Sequence, residues 1–111
     1  MTIRYKSETF DLTTTNITTI LTCPADATII VKTIQASHKT ASNVDVDTFL
    51  QKSGGSDVEI SHAQLNKSFT NMVSSSLNME ANDILKIQAG SANEITGAVS
   101  YALLDRSQEN G

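Results

Sequence analysis

The sequence holds little of what disulfide-stabilised proteins, thiol enzymes and sugar-binding proteins use. It has one cysteine, one proline and no tryptophan, and aromatic residues fill 5% of its 111 positions. A lone cysteine, Cys23, excludes an internal disulfide, and no base near it in the sequence would activate a thiol. We therefore expect Cys23 to act as a small buried apolar residue. Tyr5 and Tyr101 are the only tyrosines, too few for a carbohydrate platform of exposed rings.

Positive charge and long apolar runs are also scarce. Eight Lys and Arg stand against twelve Asp and Glu, a net charge of -4, and the basic residues are scattered along the chain. This argues against nucleic-acid binding through a basic patch. No segment approaches the ~18 apolar residues of a membrane-spanning helix. The first six residues lack the apolar core of a signal peptide, so we expect synthesis in a cytoplasm.

The sequence is rich in uncharged polar residues: 14 Thr, 13 Ser and 8 Asn. Threonine favours strands, whereas serine and asparagine favour turns. The chain length predicts one domain, residues 1–111, with room for one modest core. The composition therefore indicates an all-β fold.

Alternating apolar residues predict about eight short strands, with turns roughly every 8–12 residues, in an antiparallel β-sandwich of jelly-roll-like type. Residues 28–38 are apolar on both faces, which suggests a central strand or one that passes between sheets. Residues 44–51 and 57–61 flank Gly54 and Gly55 and predict a hairpin with a wet, acidic face. Residues 61–76 fit a short helix or an irregular crossover between sheets, and their polar content favours the crossover.

The clearest pair of predicted strands spans residues 84–89 and 94–104. In the second strand, Ile95, Val99, Tyr101 and Leu103 share one face with Gly97, and we expect this face to point into the core. The opposite face carries mostly small side chains rather than charged ones, so we consider that it could be covered as well. Four residues containing glycine separate the two strands, which fits an antiparallel hairpin.

The two ends of the chain are less regular. Ile3 and Tyr5 share one face, whereas Phe10 and Leu12 share the opposite one, which predicts a bulge or bend near Glu8. Residues 1–8 are therefore either an edge strand or an N-terminal arm that orders against a partner. Residues 105–111 are polar and predict a frayed tail.

Few residues are candidates for chemistry. Asp45 and Asp47, with Glu59 from the next strand, could contribute to a calcium site, but a solvated sheet face explains them as well. His38 and His62 are the only histidines, and a zinc site would need two further ligands. We expect them to be ordinary surface or strand-end residues. The sequence therefore predicts no catalytic, metal or cofactor site and no enzyme.

Several motifs resemble a group of small virion proteins of tailed bacteriophages, common among phages of aquatic bacteria. The similarity covers most of residues 5–104, without the segment 44–79. Its motifs, in chain order, are Phe10-Asp11-Leu12-Thr13-Thr14-Thr15-Asn16, Leu21-Thr22-Cys23-Pro24-Ala25, Ala27-Thr28-Ile29-Ile30-Val31-Lys32, Glu80-Ala81-Asn82-Asp83-Ile84-Leu85-Lys86 and Val99-Ser100-Tyr101.

This resemblance implies a β-sandwich structural subunit of the virion, without enzyme activity or cofactor. The first expectation is a capsid decoration (cement) protein. A neck, tail or fibre-adaptor subunit is the alternative, and a carbohydrate- or receptor-binding module is another. The expected partners are capsid or other virion proteins and copies of the chain itself, a trimer being compatible with icosahedral threefold positions. We expect the contact with a neighbour to involve Ile3, Arg4, Tyr5 and Lys6.

Overall fold

The computed structural model describes residues 2–40, 42–73 and 76–106, and these form an all-β domain. Its strands are β1 (Thr2–Leu12), β2 (Thr18–Thr22), β3 (Ala27–His38), β4 (Val44–Gln51), β5 (Asp57–Leu65), β6 (Phe69–Asn71), β7 (Leu77–Met79), β8 (Ile84–Ala89) and β9 (Ile95–Asp105). No helix in these ranges is long and apolar enough to span a membrane. The all-β fold is as predicted.

The strands form two antiparallel sheets that pack face to face. Sheet A has the order β1-β9-β3-β6, with β7 also paired to β3, and sheet B has the order β2-β8-β4-β5. The chain passes repeatedly from one sheet to the other, so strands that follow each other in sequence seldom pair. The predicted β-sandwich is confirmed, and so is the hairpin of β4 and β5.

The core lies between the sheets and contains aliphatic residues from both. β3 is central in sheet A, as predicted, and a bulge at Lys32 explains why it is apolar on both faces. Before the bulge Ile29 and Val31 point inward, and after it Ile34 and Ala36 do, all four being buried. An extra residue in one strand reverses the alternation beyond it.

The predicted hairpin of residues 84–104 is wrong. β8 pairs with β2 and β4 in sheet B, whereas β9 pairs with β1 and β3 in sheet A. The loop between them therefore crosses the sandwich. A short loop can do this because packed sheets lie only about 10 Å apart. The expected burial of the inward face of β9 is confirmed for Ile95, Val99 and Tyr101.

The predictions for residues 61–76 and for the chain ends have mixed outcomes. β5 belongs to sheet B and β6 to sheet A, which confirms the crossover. β1 pairs with β9 in one unbroken register from Thr2 to Leu12, so the bulge predicted near Glu8 is wrong. β9 includes Asp105, which pairs with Thr2 and Ala27, so the frayed tail does not begin there. Residues 107–111 lie outside the described residues.

Candidate interaction surface

Sheet A turns a nearly uncharged face away from the core, which we call outer face A. The register of β1, β9 and β3 places on one side Ile3, Tyr5, Ser7, Thr9, Asp11, Thr28, Ile30, Thr33, Gln35, Ser37, Thr96, Ala98, Ser100, Ala102 and Leu104, with Phe69 from β6. Asp11 lies at its margin, and exposed Lys32 lies at the bulge of β3. The centre of outer face A is therefore small, hydroxylated and apolar.

Large apolar side chains are exposed at two edges of outer face A. Tyr5 is 80% exposed and Ile3 is 51% exposed on β1, and Phe69 is 70% exposed on β6. Phe69 borders a shallow depression of about 240 Å³ with Thr33 and Gln35. Exposed aromatic side chains at the margin of an uncharged face are typical of a protein–protein contact.

Sheet B turns an acidic face away from the core, which we call outer face B. It carries four carboxylates on two strands: Asp45, Asp47, Asp57 and Glu59. Most of these carboxylates have a hydrogen-bond or ion-pair partner within the molecule. Gln64 Nε2 donates to Asp45 Oδ1 at 3.2 Å, and Lys86 Nζ lies 2.9 Å from Asp57 Oδ1. The wet, acidic face predicted for the β4–β5 hairpin is therefore present.

Asp47, Glu59 and His62 form the tightest polar cluster on outer face B. Asp47 and His62 are directly opposite on β4 and β5, and His62 Nδ1 is hydrogen-bonded to Asp47 Oδ1. The three side chains place their ligand atoms within 4.8 Å of one another. The geometry thus brings Glu59 to Asp47, as the sequence suggested, but adds His62 rather than Asp45.

Hydrogen bonding raises two pKa values in this cluster. The hydrogen bond with Asp47, and then its charge, raises the pKa of His62. A hydrogen bond to Asp47, and then repulsion from that carboxylate, raises the pKa of Glu59. Two oxygens and a nitrogen at this spacing suit a divalent cation, but three ligands fall short of the six to eight oxygens that calcium takes.

The four residues predicted to contact a neighbour belong to an edge strand rather than to a loose arm. Ile3, Arg4, Tyr5 and Lys6 pair with Leu104, Leu103, Ala102 and Tyr101 of β9. Ile3 and Tyr5 therefore lie on outer face A, whereas Arg4 and Lys6 point to the opposite side. There Lys6 and Glu8 line a cleft of about 390 Å³ with residues of β2. Ile3 and Tyr5 therefore lie on the face opposite to that of Phe10 and Leu12 because this part of β1 turns charged side chains toward the cleft.

The remaining candidates for chemistry are Cys23, His38 and His62. Cys23 is fully buried, as predicted, and burial raises the pKa of its thiol. His62 is an exposed surface residue, as expected. His38 is the last residue of β3, so the strand-end alternative is confirmed for it, and it is buried, with 3% of its surface exposed. Its Nδ1 lies 3.1 Å from the Leu65 carbonyl oxygen, and its Nε2 lies 2.8 Å from Thr40 Oγ1.

A buried carboxylate holds the turn before β8. Asp83 is 1% exposed and accepts hydrogen bonds from Lys52 Nζ at 2.6 Å, Glu80 N at 2.9 Å and Ser53 N at 3.1 Å. Burial alone would raise the pKa of Asp83, but these hydrogen bonds outweigh it and hold the pKa below its usual value. The Asp83 carboxylate therefore ties the β4–β5 loop to the chain entering β8.

Comparisons with known proteins support the fold. No family model and no curated protein sequence matches the chain. A chain in the acid-stable capsid structure of Helicobacter pylori bacteriophage KHP30 is similar in fold, with a TM-score of 0.60 at 12% identity, over 96% of this chain and 90% of that one. A Bacillus endospore appendage pilus protein gives a TM-score of 0.51 at 14% identity, over 95% and 88%. This chain therefore has a fold that also occurs in a phage capsid and in a pilus.

Proposed function

We propose that this chain is a non-enzymatic structural protein of a bacteriophage virion, acting as a capsid decoration (cement) subunit. The observation that carries the proposal is the fold similarity to the KHP30 capsid chain, which extends over nearly the whole of both chains. The phage-like motifs of the sequence agree with it. The strand orders β1-β9-β3-β6 and β2-β8-β4-β5 also support a jelly roll, an architecture common in viral capsids.

The proposed mechanism is mechanical. Outer face A docks on capsid proteins, because a face with few charges loses little hydration when it is covered. Outer face B keeps its paired carboxylates in water. Each contact can be weak, because many copies bound to one shell act together through multivalency. Each docked copy adds buried contact area that resists internal pressure.

Two matched substitutions test which face docks. Thr33 on outer face A and Thr19 on outer face B are both exposed strand residues. We expect Thr33→Glu to weaken binding to particles stripped of this protein by about tenfold or more, because a carboxylate would be buried in the contact. Thr19→Glu, opposite Lys86, should bind like the wild type. Equal binding by all three proteins would contradict docking through outer face A.

The virion role itself is tested on purified particles. We expect mass spectrometry to find the chain in purified virions, and immunogold labelling to place it on the head. Particles lacking it should release their genome at a lower temperature. Absence from purified virions would contradict the proposal, and labelling confined to the neck or tail would replace decoration with a connector or fibre-adaptor role. A specific hit on a glycan array would favour a receptor-binding module instead.

A further inference from the structure

Strand β1 has one free edge that is long and regular. It pairs with β9 alone among the described strands, over eleven residues without a register shift. At about 3.4 Å per residue the free edge is roughly 35 Å long. Unpaired edges of this kind are templates for another strand, and proteins usually shorten, bulge or cover them. Beyond the ladder to β9 and the hydrogen bond from Asn93 N to Leu12 O, no described backbone group is hydrogen-bonded to β1.

The charges of β1 are divided by sign between its two halves. Arg4 and Lys6 lie before the midpoint at Ser7, whereas Glu8 and Asp11 lie after it. When two copies of such a strand pair antiparallel about Ser7, residue i faces residue 14 − i of the other copy. Lys6 then faces Glu8 twice, once on each side of the twofold axis. The strand is therefore complementary in charge to itself in this orientation.

We propose that two copies of this chain associate through antiparallel pairing of their β1 edges, with Ser7 on the twofold axis. The pairing joins the two A sheets into one continuous sheet and doubles outer face A. It is an isologous contact, in which the same residues serve on both subunits. It gives a twofold dimer rather than the trimer considered from the sequence, and it does not depend on the virion role.

Most side chains on both sides of the paired strands agree with this register, and the exception is Ile3, which faces Asp11 of the second copy. On the side of Lys6 and Glu8, Arg4 faces Phe10 of the second copy, where a guanidinium can lie over the ring. Arg4 is also diagonal to Glu8 of the second copy, within reach of a long side chain. On outer face A, the exposed Tyr5 faces Thr9 of the second copy and gains cover from it.

Other pairings are less favourable because like charges meet. A shift of the axis to position 6 sets Lys6 against its own copy at the twofold axis. Parallel pairing in register sets every charge against the same charge. Charged residues on an edge strand generally oppose pairing with foreign strands. In β1 their arrangement brings opposite charges together in the antiparallel register centred on Ser7, so a second copy of this chain is a partner that fits this edge.

Charge reversal tests the pairing in sedimentation equilibrium of the full chain. Lys6→Glu brings two carboxylates together at both symmetric sites, and Glu8→Lys brings two ammonium groups together. We expect either change to raise the dimer dissociation constant about tenfold or more. The double variant K6E/E8K restores opposite charges and should dimerise like the wild type. A mixture of the two single variants should form heterodimers, since each supplies the charge that the other lacks.

Disulfide trapping tests the register. Residues directly opposite in an antiparallel pair have Cα atoms about 4.5–5.5 Å apart, within the range of a disulfide. Ser7→Cys should therefore cross-link two copies under mild oxidation. Thr9→Cys is the matched control, because its two copies would lie about 13 Å apart along the strands. The native Cys23 is buried and should not interfere.

Two results would overturn the proposal. One is a wild-type chain that stays monomeric at millimolar concentration together with no cross-link through Ser7→Cys. The other is a dimer that survives Lys6→Glu unchanged and cross-links through Thr9→Cys as readily as through Ser7→Cys, since that dimer would use another surface or register. Circular dichroism of each variant confirms that the fold is retained, because these side chains lie on an exposed edge.

Discussion

The two outer faces of this sandwich differ in how their polar groups are satisfied. Outer face B carries four carboxylates, and His62, Gln64 and Lys86 pair with three of them inside the molecule. Outer face A carries hydroxyl groups, small residues and, at its edges, large exposed apolar side chains. A face whose charged groups are already paired within the molecule gains little from covering by a partner. A face with few charges and exposed aromatic residues has more to gain from a partner, which is why we propose that outer face A makes the contact.

The substitution with the largest expected effect is Gly97→Ala, which disturbs the sheet beneath outer face A. A Cβ at Gly97 would lie 1.9 Å from the Gln35 carbonyl oxygen and 2.5 Å from Phe10 Cζ. β9 would have to move away from both neighbours, and we expect a loss of about 3 kcal/mol or more in the free energy of unfolding. Denaturant titration measures it.

The control for this substitution is Gly90→Ala beside sheet B. There a Cβ would lie 3.6 Å from the Asp45 backbone, an ordinary contact. We expect less than about 1 kcal/mol of change in either direction. Equal losses of stability for Gly97→Ala and Gly90→Ala would contradict the close approach of β9 to β3 and β1 at Gly97.

A medium effect is expected from Asp83→Ala, which breaks the link between the β4–β5 loop and the turn before β8. The change leaves the Ser53 and Glu80 N–H groups without their carboxylate acceptor. We expect a loss of about 2–3 kcal/mol, measured by denaturant titration at pH 7. Asp26→Ala, at an exposed turn, is the control and should be close to neutral.

The same carboxylate predicts a response to acid. The pKa of Asp83 is lower in the folded state than in the unfolded chain, so its contribution is complete above the unfolded value of about 4 and is lost as the pH falls through the folded pKa. The difference in stability between wild type and Asp83→Ala should therefore shrink below about pH 4. A difference that stays constant down to pH 2 would argue against an ionised, hydrogen-bonded Asp83.

The smallest effect concerns the polar cluster of outer face B. The pKa of His62 is raised by Asp47, so this ion pair contributes fully below the unfolded value near 6.5 and is lost as the pH rises through the folded pKa. Between pH 5.5 and 9 the melting temperature of the wild type should fall by about one degree more than that of His62→Gln, an effect of the size seen for other exposed ion pairs. A larger loss for the variant would contradict the pairing.

Much of the fold follows from local patterns in the sequence. Alternation located the strands, the double glycine located the β4–β5 hairpin, and apolar residues on both sides of β3 indicated its central place. The small second face of residues 94–104 was the signal for outer face A, since Ala98, Ser100 and Ala102 lie on it. These features depend on neighbours in sequence, which is why they could be predicted.

The failures concern contacts between distant residues. A four-residue loop with glycine fits a hairpin, but β8 and β9 find their partners elsewhere, and the loop crosses the core instead. Ile3 and Tyr5 share the face opposite to that of Phe10 and Leu12, and this switch predicted a bulge because an inward face is normally apolar. β1 instead turns Lys6 and Glu8 inward over an open cleft. The His62 cluster likewise depends on the cross-strand register of β4 and β5, which no local pattern in the sequence specifies.

The pairing of β1 with β9 has a consequence for the order of folding. Thr2 pairs with Asp105, so sheet A brings together segments from opposite ends of the described chain. Folds dominated by such distant pairings fold slowly, in roughly milliseconds to seconds, because loop closure precedes the stabilising contacts. During synthesis β1 waits for β9 to emerge from the ribosome. Outer face A is therefore completed last, and a nascent chain does not present it before translation has reached the final strand.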